Sequence, residues 1–282
     1  MNGQTLSLRR RVYNRGMRAL VWLCAGLTCA LLVFLIGYIF CRGIPGLTWE
    51  LLSGQTSYIK NTIGILPNIL NTLYIILVAM VIVLPLGVGA AIYLTEYAEN
   101  RRLVSLIEFA AETLTGIPSI IFGLFGLLFF STALHWGYSL LAGAMTLVIM
   151  ILPLIIRTTE EALMGVPDAY REASFGLGAG KLRTVFKVVL PSAIPGILSG
   201  VVLATGRIVG ETAALIYTAG SVAKVPSSLM GSGRTLAVHM YVLASEGLYM
   251  KQAYATAVIL VVIVVAINAL SSRLAKQLMK GK

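Results

Sequence analysis

The chain has 282 residues, of which 58% are hydrophobic and only 12% charged, about half the charge density of a soluble domain. Its net charge of +11 would suit nucleic acid in a soluble protein. Here the basic residues flank apolar runs and none is interleaved with stacking aromatics, so the charge points to span orientation and lipid headgroups instead.

Apolar runs of about 20 residues recur, each long enough to cross a bilayer. Lipid offers no partner to backbone N–H and C=O groups, so these runs are expected to be helices. The expected fold class is an all-α membrane protein with six transmembrane helices. The first span, 19–41, follows Arg9, Arg10 and Arg11 as the core of a signal peptide would. It exceeds the ~7–15 residues of such a core and no small-residue cleavage site follows, so it is expected to be retained. Cys24, Cys29 and Cys41 lie in or at the end of it. They lack disulfide or zinc spacing and are expected to be buried packing residues.

A polar loop, 42–66, precedes a second span over 69–94. In the third, 109–134, Pro118 with Gly116 and Gly123 predicts a bend, placing Ser119 at a kink. Glu108 and Glu112, one turn apart, would repel an anion and are read as partners of nearby arginines. A fourth span covers 139–156.

The polar insert that follows is the most structured feature between spans. Residues 159–164 continue the fourth helix; Pro167-Asp168 breaks it, with Asp168 as the cap of a helix carrying Glu172 in its first turn. Gly178 and Gly180 are expected to end that helix in the left-handed conformation. A second helix, 181–189, should stop before Pro191. The result is an elbow of two short helices. Its basic face (Lys181, Arg183, Lys187) and apolar face (Leu182, Val185, Phe186) suit a protein cleft. The run from Gly176 to Lys181 lacks a glycine at Phe175 and Ser or Thr at Leu182, so it is not a phosphate-binding loop.

The fifth span, 193–219, carries Arg207 near its middle. A charge at that depth costs about 2.5–3.5 kcal/mol on insertion scales unless paired or hydrated. Glu211, one turn on, is an available partner. Two roles fit: a structural ion pair, or a guanidinium lining an anion path, since its geometry matches phosphate oxygens. Gly206 and Gly210 flank it and would permit close helix approach. The loop 220–250 holds a Gly/Ser/Pro-rich stretch, then Leu236, Met240 and Leu243 at the spacing of a short surface or re-entrant helix. The last span is 253–270. His135 and His239 have no metal-ligand company, and no metal site is expected. Of the 22 basic residues, 16 fall beside the elbow, the loop at Arg101-Arg102 and both termini, against five on the other side. The positive-inside rule therefore places the elbow and both termini in the cytosol.

The spacing Glu172-Ala173-Ser174, Gly178, Val188-x-Leu190-Pro191 resembles the EAA loop of ABC-importer permeases, with Ser174 for Ala and Val188 for Ile. Gly116-Ile117-Pro118-Ser119-Ile120, Arg157-Thr158-Thr159-Glu160 and Arg207-Ile208-Val209-Gly210-Glu211-Thr212-Ala213 resemble the PstA family of phosphate-importer permeases, over about residues 67–272. The resemblance implies a type-I importer (MetI-like) fold with a basic tail over 1–18. A first span and external loop would follow over 19–66, then a permease domain over 67–272 holding the elbow at about 160–191, and a basic tail over 273–282. It implies ATPase coupling through Glu172, Ala173, Gly178, Lys181, Leu190 and Pro191, and a substrate path past Arg207, Glu211 and Thr212. The implied partners are a PstC-like permease, two PstB-like ATPase subunits that bind the ATP, a PstS-like phosphate-binding protein and membrane lipid. No cofactor or catalytic site of its own is expected, and no nucleic acid. A permease for another oxyanion or an uncharged solute, and a phosphate-sensing scaffold, remain alternatives.

Overall fold

A computed structural model describes residues 8–57 and 62–280; Lys60 and Lys282, two of the residues counted for orientation, lie outside the described residues. Five helices are long and apolar enough to cross a membrane, or six crossings if one sharply bent pair counts as a span. The long helices are α1 (Leu8–Gly43), α3 (Leu66–Ile92), α6 (Leu140–Met164), α9 (Leu190–Gly210) and α12 (Met250–Lys280). A short α2 (Trp49–Ser53) sits in the first loop, capped by the Thr48 side chain, which accepts from the Leu51 N–H.

The core lies among α3, α6 and α9, where Ile75, Val83, Leu147, Ile151, Ile155 and Ile208 are fully buried. Lipid tails are as apolar as leucine, so helices in a membrane associate by close packing rather than by escape from water. Small residues supply it: Gly87 lies against Ile155, Gly196 against Ala162 and Gly200 against Thr158, with no room for a Cβ at any of the three. By contrast α1 is unpacked along its apolar window. It meets the rest of the chain at its end, where Gly43 and Gly46 press on the α12 backbone at Tyr254 and Lys251. The three cysteines are accordingly exposed, not buried as the sequence suggested, because none of the described residues packs over the apolar window of α1.

Two expected spans are broken. The third is a pair, α4 (Arg101–Thr115) and α5 (Ser119–Gly126, continued by a π-helical stretch Leu127–Ala133), bent by 99°. Pro118 is the cause: its extended backbone (φ −58°, ψ 140°) stands immediately before α5, where a proline is tolerated and a continuing helix is not. Gly123, expected to contribute to the bend, is instead a contact point. A Cβ there would stand 2.8 Å from the Ala214 Cα. The fifth span ends at Gly210. Glu211 is extended (φ −72°, ψ 125°) and a new short helix, α10 (Ala213–Thr218), follows. The helix expected in the 220–250 loop is α11 (Leu236–Glu246), but it is not on the surface: Leu236, Val238, His239 and Leu243 are buried.

Candidate functional site: an elbow and two broken helices

The elbow consists of α7 (Asp168–Gly176) and α8 (Lys181–Thr184). Gly178 takes φ +80°, the left-handed conformation that side-chain-bearing residues avoid. Gly180 does not share it; its extended backbone (φ −74°, ψ 166°) opens α8 instead. Pro167 precedes α7, so Asp168 is the first helical residue and not its cap. The Asp168 carboxylate pairs with Arg171 at 3.1 Å. The second elbow helix does not stop at Pro191. It runs through a π-helical turn, Val185–Val189, straight into α9. A proline in an α-helix clashes with the carbonyl four residues back; the wider turn directly before Pro191 relieves that clash. Val185 is buried inside the chain, so the outward apolar face is Leu182 and Phe186 alone. Glu172, Ala173, Gly178 and Lys181 are all exposed around it, and Leu177 at the tip is 90% exposed.

Two elbow residues make contacts that the sequence did not reveal. Arg171 donates to the carbonyls of Leu163 and Val166 and lies 2.7 Å from the Glu96 carboxylate, which ties α7 to the end of α3. Ser174 is buried and its hydroxyl meets that of Thr184 at 2.9 Å, joining the two elbow helices. Lys181 stands 5.1 Å from the Tyr97 ring centroid. The signal for Arg171 was its place one residue before Glu172. For Ser174 it was a polar residue where the family pattern has alanine.

The second part of the site is where the two breaks approach. α5 packs along α10, with the Gly123 backbone on Ala213-Ala214, so Pro118-Ser119 lies about one turn from the first turn of α10. Glu211 does not pair with Arg207. Its extended backbone carries the carboxylate toward α10, where Oε1 accepts from the Ala214 N–H at 3.1 Å. Arg207 is left half-buried in the last turn of α9, with no ion-pair or hydrogen-bond partner among the described residues. A cation there also complements the helix C-terminus. Gly206 and Gly210 do not mediate close approach within this chain, because both face open space. Thr212 donates weakly to the Gly210 carbonyl at 3.4 Å. Discontinuous helices with a charged side chain at the break are how membrane proteins build ion paths.

Glu108 and Glu112 are not paired with arginines. They line a cavity of about 280 Å³ between α4 and α6 with Arg157 and Glu160; Arg157 pairs instead with Glu161 at 3.4 Å. Glu160 is 4% exposed and its Oε1 has no hydrogen-bond partner among the described residues. At the other end of the core, His239 is fully buried, and burial followed by the nearby Arg234 charge pushes its imidazole down to about 3.

Residues 83–281 match the family of binding-protein-dependent transport system inner membrane components. The chain belongs to this family. It is a permease subunit of an ABC importer, a multi-span helical protein of the inner membrane. The permease is 35% identical over 254 residues to the probable ABC transporter permease protein YqgI of Bacillus subtilis (strain 168), covering 86% of each chain. It is 34% identical over 224 residues to phosphate transport system permease protein PstA 1 of Mycobacterium tuberculosis (strain ATCC 25618 / H37Rv), covering 76% of this chain and 71% of that one. Among solved structures, a permease chain of an inward-facing MetNI methionine ABC transporter superposes with a TM-score of 0.62 at 22% identity, over 74% of this chain and 93% of that one. A chain of the bacterial alginate ABC transporter superposes with a TM-score of 0.66 at 14% identity, over 96% and 99%. The fold is therefore that of type-I ABC importer permeases.

Proposed function

We propose that this permease carries inorganic phosphate, with the elbow end and both termini in the cytosol. The observation that carries the substrate is Arg207: an unpartnered guanidinium at the end of a broken helix, beside a second break. The names of the PstA relatives support the same anion. A desolvated guanidinium left unpaired is costly, and an oxyanion passing the break would supply the missing partner with matching geometry. Thr212 and Ser119 would offer hydroxyls along the same path. Glu211 serves it by capping α10 and so holding the break open.

The elbow would seat in a cleft of a PstB-like ATPase, which binds the ATP, through the exposed face of Glu172, Ala173, Lys181, Leu182 and Phe186. Gly178 sets the angle between the two helices. Leu190 and Pro191 pass the push into α9 and on to Arg207. A PstC-like permease would complete the path, with a second PstB-like subunit and a PstS-like binding protein delivering phosphate. The chain performs no chemistry of its own.

Labelled-phosphate uptake in cells carrying Arg207→Gln tests the path, with pull-down of the ATPase and partner permease as the control. We expect intact assembly with uptake lowered at least about tenfold, the loss of roughly 1.4 kcal/mol or more of anion stabilisation. Arg207→Lys should recover part of it. Uptake equal to that of the parent in Arg207→Gln would reject Arg207 as a phosphate contact. Competition by unlabelled phosphate but not sulfate is expected of the parent.

A further inference from the structure

We propose that the outer face of α4 is a binding site for an anionic phospholipid in the leaflet at the elbow end. Three observations place it there. First, the 99° bend: α5 and its π-helical continuation run over Ser119–Ala133, roughly 20 Å of rise in a hydrocarbon core about 30 Å thick. With that segment upright, α4 lies in the plane of the membrane, near the interface on the elbow side.

Second, α4 has two unlike faces. Val104, Ile107, Ala111 and Leu114 face α6 and the core. On the opposite side Leu106 is 63% and Phe109 67% exposed. A helix of this type, lying flat, buries such a face among acyl chains.

Third, the polar end of that face is basic: Arg102 shares its surface with Leu106 and Phe109, and Arg101 lies between that surface and a neighbouring cavity that also holds Glu96, Glu108 and Glu160. A shallow, open groove is lined by Arg101, Arg102, Ser105, Leu106 and Phe109. Neither arginine has an ion-pair partner among the described residues, and the first turn of α4 contains no acidic residue. Two cations in a first turn oppose the helix dipole, a modest cost that an anion beside them would offset. Two guanidiniums and a hydroxyl at one end of a groove, with leucine and phenylalanine at the other, match a phosphate headgroup above an acyl chain. A free phosphate would satisfy the arginines but make no use of the adjoining Leu106 and Phe109, which a lipid engages with the same molecule.

The test uses the full chain with Cys24, Cys29 and Cys41 replaced by serine, in nanodiscs of phosphatidylcholine with and without phosphatidylglycerol. A fluorophore on Leu103→Cys, exposed beside Arg102 but outside the groove lining, reads quenching by headgroup-labelled lipid of either type. Two arginines near an anionic surface favour it by about thirtyfold together. Quenching by labelled phosphatidylglycerol should therefore exceed that by labelled phosphatidylcholine. The excess should vanish in Arg101→Gln with Arg102→Gln and persist with lysine at both positions. A fluorophore on Ala110→Cys, exposed on the same helix but outside that lining, read against an acyl-chain quencher, should be unchanged by the double glutamine substitution, which separates a lost headgroup contact from a lost helix. Equal quenching by the two lipids would overturn the proposal. Relief of the excess by inorganic phosphate would reassign the arginines to the free ion. Loss of all lipid quenching when partner subunits are co-reconstituted would show that protein covers this face, and would also overturn it.

Discussion

Ser174 departs from the alanine of the family pattern, and its hydroxyl is spent on Thr184, 2.9 Å away across the elbow. Both groups are buried. Ser174→Ala restores the family residue but strands the Thr184 hydroxyl, at a cost of about 1–2 kcal/mol. Adding Thr184→Val removes the stranded group and should recover part of the loss, measured as thermal unfolding in detergent. His239 carries a pH prediction. Its imidazole is held at about 3 by burial and by Arg234, against about 6.5 in an unfolded chain. Between those values the unfolded state binds a proton that the folded state refuses. The contribution is intact above pH 6.5 and is lost as pH falls, at up to about 1.4 kcal/mol per unit. Melting temperatures from about pH 7 to about pH 4 should fall less steeply in His239→Gln than in the parent. Gly178 was legible in the sequence because glycine after a short helix has one common use. Arg171 was counted there only as a positive charge, since its partners Glu96, Leu163 and Val166 come together through tertiary packing.

Elements were legible where proline or glycine punctuates them, and not where a polar residue breaks a helix by capping the next. Pro118 announced the α4–α5 break. The α9–α10 break is set by Glu211 turning to the Ala214 N–H, a choice invisible in an apolar run with helical spacing. The Pro191 reading failed for a different reason: the expectation was a stop, but a π-helical turn lets the helix continue. The packing of α5 on α10 holds the two breaks together, and it depends on Gly123. With an alanine there the new methyl would meet backbone 2.8 Å away, which cannot yield as a side chain would. Gly123→Ala is expected to cost about 1–3 kcal/mol and to lower phosphate uptake while ATPase co-purification, which depends on the elbow, stays unchanged. Unaltered uptake would show that the breaks need not be held at this spacing.

At the scale of the molecule, the basic residues predict which end of the bundle meets the cytosol. In a background without Cys24, Cys29 and Cys41, an impermeant thiol reagent should label Ser228→Cys but not Leu177→Cys in intact spheroplasts. The reverse pattern would invert the topology. Both positions are exposed in the chain; labelling of Leu177→Cys on permeabilisation, in cells without the partner ATPase, separates the side of the membrane from cover of the elbow. The elbow and Arg207 are the two parts of the proposed function farthest apart, yet one continuous rod, Lys181–Gly210, joins them. That rod carries its π-helical turn at Val185–Val189, at the elbow end. Such a turn holds one residue more than the α form needs, and each residue advances an α-helix by about 100°. Tightening the turn to α geometry with α8 held fixed would therefore screw the rest of the rod about its own axis by roughly that angle. Arg207 would then sweep from one side of α9 to another without unwinding a helix, and the glycine contacts of α9 on α6 at Gly196 and Gly200 would have to part as it turns.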